Sequence, residues 1–384
     1  MAEDPHLDEF ARTLAHGVTA VAGITVVRDA PIAPFTSLKI GGVARLLVRA
    51  TSQHELVVVA DAAAMHGVPT LILGGGSNVI VADQGFDGLV IKLDALPATR
   101  HAGTIVDDTL RDSDESPDDG VTLVDVEAGC QTAGLARWAA RQGLAGVEWA
   151  CGIPGTIGGA VAGNAGAYGG DMAGIVTAVR AWLPPVGTPI PGATGDTSVT
   201  PGSVTTIPVD AMGYAYRTSR LKHGPGIVLG ARLRLRREDP AAILARIDIY
   251  EALRRQKQPT ERSCGSVFRN PPGEIAGRLL EAAGMKGRSR GDASVSPVHA
   301  NWIINRGSAT ASDVISLVRE GQASVLARTG IRLRLEVLLV GAWDARALDG
   351  LTPEQPVAPY LAEVPHAPFA PVSYTHLTLP TILL

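Results

Sequence analysis

Aromatic residues make up only 4% of the 384 residues, which leaves few platforms for stacking nucleic-acid bases. Cysteine is scarcer still. Cys130, Cys151 and Cys264 are odd in number, widely spaced and without a CxxC pair. That pattern argues against a disulfide framework or a structural zinc site and fits a reducing compartment. Positive charge is not in excess, with Lys+Arg 34 against Asp+Glu 38 and a net charge of -4, so no nucleic-acid partner is expected. No uncharged apolar run reaches the roughly 18–20 residues that span a bilayer. The opening MAEDPHLDEF lacks the basic flank and apolar stretch of a signal peptide, so a cytoplasmic protein is expected. The acidic stretch 107–119 has no glycine and terminal glutamate in EF-hand register; it reads as a solvated loop, and no metal is expected.

What is present is globular: 46% hydrophobic residues, 19% charged, and length for two or three domains at about 150 residues each. Up to residue 29 the chain reads as a helical lead-in. A strand at Ala44–Val48, a helix capped by Ser52 and Glu55 and stopped at Gly67, and strands at Thr70–Leu73, Val79–Val81 and Leu89–Leu93 form an α+β unit over 30–95. A second unit, 96–231, contains a strand at Val121–Val126, a helix at Ala133–Arg141 and a Pro/Gly-rich hairpin loop at Pro184–Ser203. A third, 232–342, holds helices at Pro240–Lys257 and Glu274–Ala283 and one capped by Thr310 and Asp313. It closes on an alternating strand, IRLRLEVLLV, from Ile331 to Val340. Residues 343–384 read as a disordered tail; VSYTHLTLP near its end resembles translated adapter sequence and receives no functional weight.

Two glycine-rich segments carry the chemical signal. In Gly74-Gly75-Gly76-Ser77-Asn78, three glycines permit positive φ and let backbone N–H groups converge on phosphate oxygens, although a plain hairpin turn also fits. It is neither a Walker loop nor a GxGxxG opening a helix. The second segment runs GIPGTIGGA from Gly152 and GNAGAYGG from Gly163. Its glycine density argues against a helix or strand interior, and its Ile, Val and Tyr argue against a linker. Two such loops suggest one extended dinucleotide held from both sides.

GGGSN, GIPGTIGGAVAGNAGAYG, YAYRTS and CGSVFRNP, in that order, resemble the UDP-N-acetylenolpyruvoylglucosamine reductases, from about Pro34 to Gly341. The resemblance implies a vanillyl-alcohol-oxidase-like (PCMH-type) FAD-binding fold of two α+β subdomains with a C-terminal α/β substrate-binding domain. It implies noncovalent FAD, NADPH as hydride donor and a small-molecule substrate, the enolpyruvyl UDP-sugar, with no obligate protein partner. It places the cofactor on Gly74, Gly75, Gly76, Ser77, Asn78, Ile153, Pro154, Gly155, Thr156, Gly159, Asn164, Gly166 and Ala167.

The implied reaction adds hydride to the enolpyruvyl β-carbon and a proton to the α-carbon, so a proton donor and a cation are required. Ser266 matches the family's donor, Arg217 the arginine that stabilises the enolate, and Glu336 the third active residue. Without the motifs, these would read as a loop serine, a surface arginine and half of a same-face ion pair with Arg332 and Arg334. Tyr216, Arg254, Lys257, Asn270 and His299 are expected around the UDP-sugar. Gly163 and Trp302 depart from the bulkier residue and the phenylalanine common in the family. The competing readings are a flavin oxidase of the same fold, or a flavin-binding protein without activity.

Overall fold

The apolar runs on either side of the glycine triplet fold as the strands Thr70–Leu73 and Val79–Val81, but they do not pair with each other. A hairpin there is excluded. In the computed structural model, which describes residues 5–14, 24–94, 102–105, 120–184, 202–348, 351 and 382–383, Thr70–Leu73 lies parallel to Phe86–Leu93. Val79–Val81 instead runs parallel to Leu338–Val340, far along the chain. Both short strands are buried throughout, as continuous apolar runs in parallel pairings should be.

The first sheet has the order Val26–Pro31, Val43–Ala50, Phe86–Leu93, Thr70–Leu73, Ile382–Leu383. The helix Gln53–Met65 buries Leu56, Val59, Ala60 and Ala63 in one core with Ile72, Leu89 and Ile91. Ser52 caps it by accepting the Glu55 N–H at 3.2 Å. The returning bond comes from the Thr51 N–H to the Glu55 carboxylate at 2.7 Å, so the capping box closes one residue early. Of the expected helical lead-in, Pro5–Thr13 is helical, but its last residues, from Val26, instead begin the edge strand Val26–Pro31, which pairs with Val43–Ala50.

The second sheet is antiparallel, ordered Ser203–Pro208, Val176–Leu183, Ile227–Arg237, Val121–Glu127, Ala102–Ile105. Leu183 pairs with Ser203, so the Pro/Gly-rich stretch joins a hairpin, although residues 185–201 lie outside the described residues. The acidic stretch 107–119 also lies outside them. The boundary expected at 231 falls inside the strand Ile227–Arg237. The next helix, Pro240–Lys257, inserts Ile243 and Ile247 into the core of this second unit, beside Trp149. Its amphipathic face is satisfied there, so we place the start of the last unit after Lys257.

That last unit builds the sheet Ser263–Ser266, Trp302–Asn305, Ala293–Val295, Ser289–Arg290 against the helices Ala276–Ala282 and Ala311–Thr329. Thr310 and Asp313 form a full capping box, and Gly330 ends the helix at φ 73°. The expected strand Ile331–Val340 is overturned in most of its length. Only Leu338–Val340 is a strand, with one isolated bridge from Leu335 to Phe268. Burial still alternates through Leu333, Leu335 and Val337, because the segment packs its apolar residues on the last core without a neighbouring ladder. Of the expected tail, residues 343–348, 351 and 382–383 are described and belong to the fold; the rest lies outside the described residues. Ala345–Leu348 is helical, Leu351 is buried in the last core, and Ile382–Leu383 borders Thr70–Leu73.

Candidate active site

Tyr216 and Arg217 are the central pair of a tight turn closed by reciprocal Ala215–Thr218 backbone bonds, each 3.1 Å. Arg217 sits there at φ 59°, a left-handed conformation usually left to glycine. For a residue with a Cβ this costs about 1–2 kcal/mol and persists only where the surroundings over-determine it. They do so here. Asn164 Nδ2 donates to the Ala215 carbonyl at 3.0 Å, and Ser219 Oγ to the Ala162 carbonyl at 2.7 Å. The Arg217 carbonyl accepts from Lys222 Nζ at 2.7 Å and from Arg269 Nη2 at 3.2 Å.

The Arg217 guanidinium is equally fixed. Its Nε lies 3.2 Å from Glu336 Oε1, while Nη1 and Nη2 donate to the carbonyls of Asn164 and Gly166 at 3.4 and 2.7 Å. A fork with three of its five donors so occupied presents its charge in one orientation. Glu336 comes from the opposite side. Its N–H donates to the Val267 carbonyl at 2.8 Å, and its own carbonyl accepts from Asn78 Nδ2 at 3.2 Å. Its carboxylate is 17% exposed, whereas Arg332 and Arg334, which alternate with the same buried Leu333, Leu335 and Val337, are exposed. Burial pushes its pKa up, and Arg217, Lys222 and Arg269 pull it back in part. Ser266, at the end of Ser263–Ser266, follows Gly265 at φ 78° and lines the same cleft.

The cleft has a volume of about 450 Å³, and both glycine segments reach it. A Cβ on Gly75 would lie 2.5 Å from the Gly155 Cα, so the two segments touch backbone to backbone. A Cβ on Gly76, at φ 58°, would collide with the Phe35 carbonyl. Gly76 therefore serves the packing of its loop against Phe35 and Thr36, and none of Gly74, Gly75 and Gly76 lines the cleft; Ser77 and Asn78 do. From the second segment the cleft takes Ile153, Pro154, Gly155, Thr156, Gly159, Gly166 and Ala167. Against expectation, Ile157–Ala162 forms a short helix that includes Gly158 and Gly159. Carbonyls of Cys130 and Ala128 satisfy the N–H groups of Ile157 and Gly158, and Ile157, Ala160 and Val161 are buried. The Thr156 hydroxyl is buried and has no hydrogen-bond partner among the described residues. An orphaned hydroxyl beside backbone stripped of side chains suits a large polar cofactor such as FAD.

The remaining expected residues divide. Arg254, Lys257 and His299 line the cleft. Arg254 packs its stem over Gly152, forms no ion pair among the described residues, and has its pKa lowered by burial. His299 Nδ1 accepts from the Asn301 N–H at 3.2 Å, and burial, with Lys286, pulls its pKa down. Tyr216 is 51% exposed outside the cleft, with the Arg217 guanidinium 5.4 Å from its ring centre. Asn270 Oδ1 accepts the Ala276 N–H, the first of the helix Ala276–Ala282, at 3.0 Å. Asn164 is 3% exposed at φ 44°, and its side chain is spent on Ala215, Asp171 and the Ala173 N–H. It supports the Arg217 turn from behind the cleft. Lys222, Tyr168 and Trp302 line the cleft without having been singled out as site residues. Tyr168 follows the pattern AGAYG and stacks on Tyr250 at 4.6 Å, whereas Lys222 gives no local signal.

A FAD binding domain model matches residues 44–190, and a model of the UDP-N-acetylenolpyruvoylglucosamine reductase C-terminal domain matches residues 257–340. The UDP-N-acetylenolpyruvoylglucosamine reductase of Chloroflexus aggregans is 40% identical over 324 residues, covering 83% of this chain and 98% of that protein. That of Anaeromyxobacter dehalogenans (strain 2CP-C) is 41% identical over 326 residues, covering 85% and 88%. The crystal structure of the Thermus caldophilus reductase superposes with a TM-score of 0.61 at 32% identity, covering 82% of this chain and 98% of that one. The two FAD subdomains and the C-terminal domain are thus those of one known architecture. With its cleft, its glycine loops and this extent of likeness, the chain belongs to the UDP-N-acetylenolpyruvoylglucosamine reductase family.

Proposed function

We infer that the chain catalyses the NADPH-dependent, FAD-mediated reduction of UDP-N-acetylglucosamine enolpyruvate to UDP-N-acetylmuramate in peptidoglycan synthesis. The observation that carries this reading is the meeting of Arg217, Glu336 and Ser266 in one cleft, next to both glycine segments. FAD bound there supplies the transfer of hydride from NADPH to the enolpyruvyl double bond. Ser77, Asn78, Thr156 and the backbone of 153–159, 166 and 167 would hold it.

The chain's own residues then manage charge and protons. Arg217 receives the substrate carboxylate and the negative charge that develops beside it in the enolate. Glu336 fixes the orientation of that guanidinium, and its ionised form keeps the pair intact. Ser266 donates its hydroxyl proton to the α-carbon; its side chain makes no hydrogen bond within the described protein, so the hydroxyl is available to substrate. Arg254 and Lys257 offer cations for the diphosphate, and His299 lines the cleft beside them as a substrate contact. No described helix is long and apolar enough to cross a membrane, and a cytoplasmic site of action fits the soluble nucleotide substrates. The test is anaerobic. NADPH should bleach the bound flavin, and the enolpyruvyl UDP-sugar should restore its colour with formation of UDP-N-acetylmuramate. A bleached flavin that the sugar leaves unchanged would overturn the assignment.

A further inference from the structure

Two further cations, Lys222 and Arg269, flank the Arg217–Glu336 pair, and Lys222 has no role in the chemistry described above. It lies in the short helix Arg220–His223, which Ser219 ties to the Ala162 carbonyl. Despite its charge it is only 8% exposed and lines the cleft. Its ammonium group turns back to donate to the Arg217 carbonyl at 2.7 Å. From the C-terminal unit, Arg269 reaches the same carbonyl at 3.2 Å. Two cations on one carbonyl is an unusual concentration of donors, and it falls on the residue whose backbone is left-handed at φ 59°.

We propose that Lys222 is a positioning residue of the reductase: by holding the Arg217 carbonyl it locks Arg217 in its strained turn, with the guanidinium set against Glu336. The proposal rests on the assignment of Arg217 and Glu336 to the reaction. The groups bearing on Glu336 are Arg217, Lys222 and Arg269, so removing Lys222 takes one of three cations from its surroundings. Glu336 should then hold its proton to higher pH. At the same time the Arg217 turn loses its shorter tether, and small displacements of a transition-state cation are costly.

The experiment uses the holoenzyme with NADPH and the enolpyruvyl UDP-sugar. Lys222→Met, which keeps the stem and removes the ammonium, should lower kcat roughly ten- to hundredfold with a smaller change in KM. The acid limb of its kcat profile should move to higher pH, and Lys222→Arg should recover part of the rate. FAD content and Tm, measured on the same preparations, report folding. Should Lys222→Met fail to fold, Lys222→Gln carries the test, since it keeps a donor and loses the charge: its acid limb must still move up. A folded variant with kcat and acid limb within about twofold of the parent, or a loss confined to Tm, overturns the proposal. Glu336→Gln is measured alongside. If that variant also keeps the parent profile, the assignment of the site itself fails; if it does not, only the role of Lys222 fails.

Discussion

Arg217 Nε and Glu336 Oε1 stand 3.2 Å apart, joining a turn of the second FAD unit to the segment that leads out of the C-terminal unit. Burial raises the Glu336 pKa in the folded protein, so folding favours its protonated form. The stability this contributes is fully present below the ordinary carboxylate range and is lost as pH rises through the raised value. Glu336→Gln should therefore have an equal or higher Tm than the parent at neutral pH, with the difference shrinking as the pH falls. Its kcat should drop, because a neutral amide holds Arg217 less firmly. Thermal denaturation across pH, beside steady-state rates, checks both; a Tm lowered at neutral pH would show that the ion pair outweighs its desolvation.

Ser266→Ala should separate the two half-reactions. Flavin reduction by NADPH should stay close to the parent rate, since it delivers no proton to the sugar. Reoxidation by the enolpyruvyl sugar should slow by about 10²–10⁴-fold, the usual cost of losing a positioned acid. Ser266→Cys should restore part of the rate. Stopped-flow single turnovers decide the matter, and equal slowing of both halves would make Ser266 a structural residue.

Thr156 offers a cleaner probe of the cofactor site than the glycine triplet, where a side chain on Gly76 would strike the Phe35 carbonyl and damage the fold itself. Thr156→Val removes a buried hydroxyl that lacks a partner within the described protein. The apoprotein should be as stable or more so, while FAD affinity should fall about 3–10-fold, the worth of one neutral hydrogen bond. Titration of the apoprotein with FAD, followed by flavin fluorescence, measures it. Unchanged affinity would mean that the hydroxyl does not meet the cofactor.

Arg254 should serve both nucleotides. It lines the cleft without an ion pair among the described residues, and burial has already lowered its pKa. Arg254→Ala should raise KM for NADPH and for the UDP-sugar together, each by about 10–100-fold, as expected for losing a charge-assisted bond of about 1.5–3 kcal/mol. A rise for one ligand alone would show that the two do not share this contact.

The sequence by itself determined what depends on neighbouring residues. Ser52, Thr310, Gly67 and Gly330 marked helix ends because caps and left-handed stops are local matters. The apolar runs Thr70–Leu73 and Val79–Val81 gave their strand bounds to the residue. Ser266, Arg217 and Glu336 were legible only because their surrounding motifs resembled a family. Their contact was not, since it depends on Val79–Val81 pairing with Leu338–Val340 across the length of the chain. A strand's apolar pattern states that it will be buried but not against which partner. The same limit explains the strand expected from Ile331, which alternates in burial but finds a ladder only from Leu338. It also explains Lys222, which gives no local signal in the sequence. Only the packing of three units around one cleft buries its charge and gives it the Arg217 carbonyl to hold.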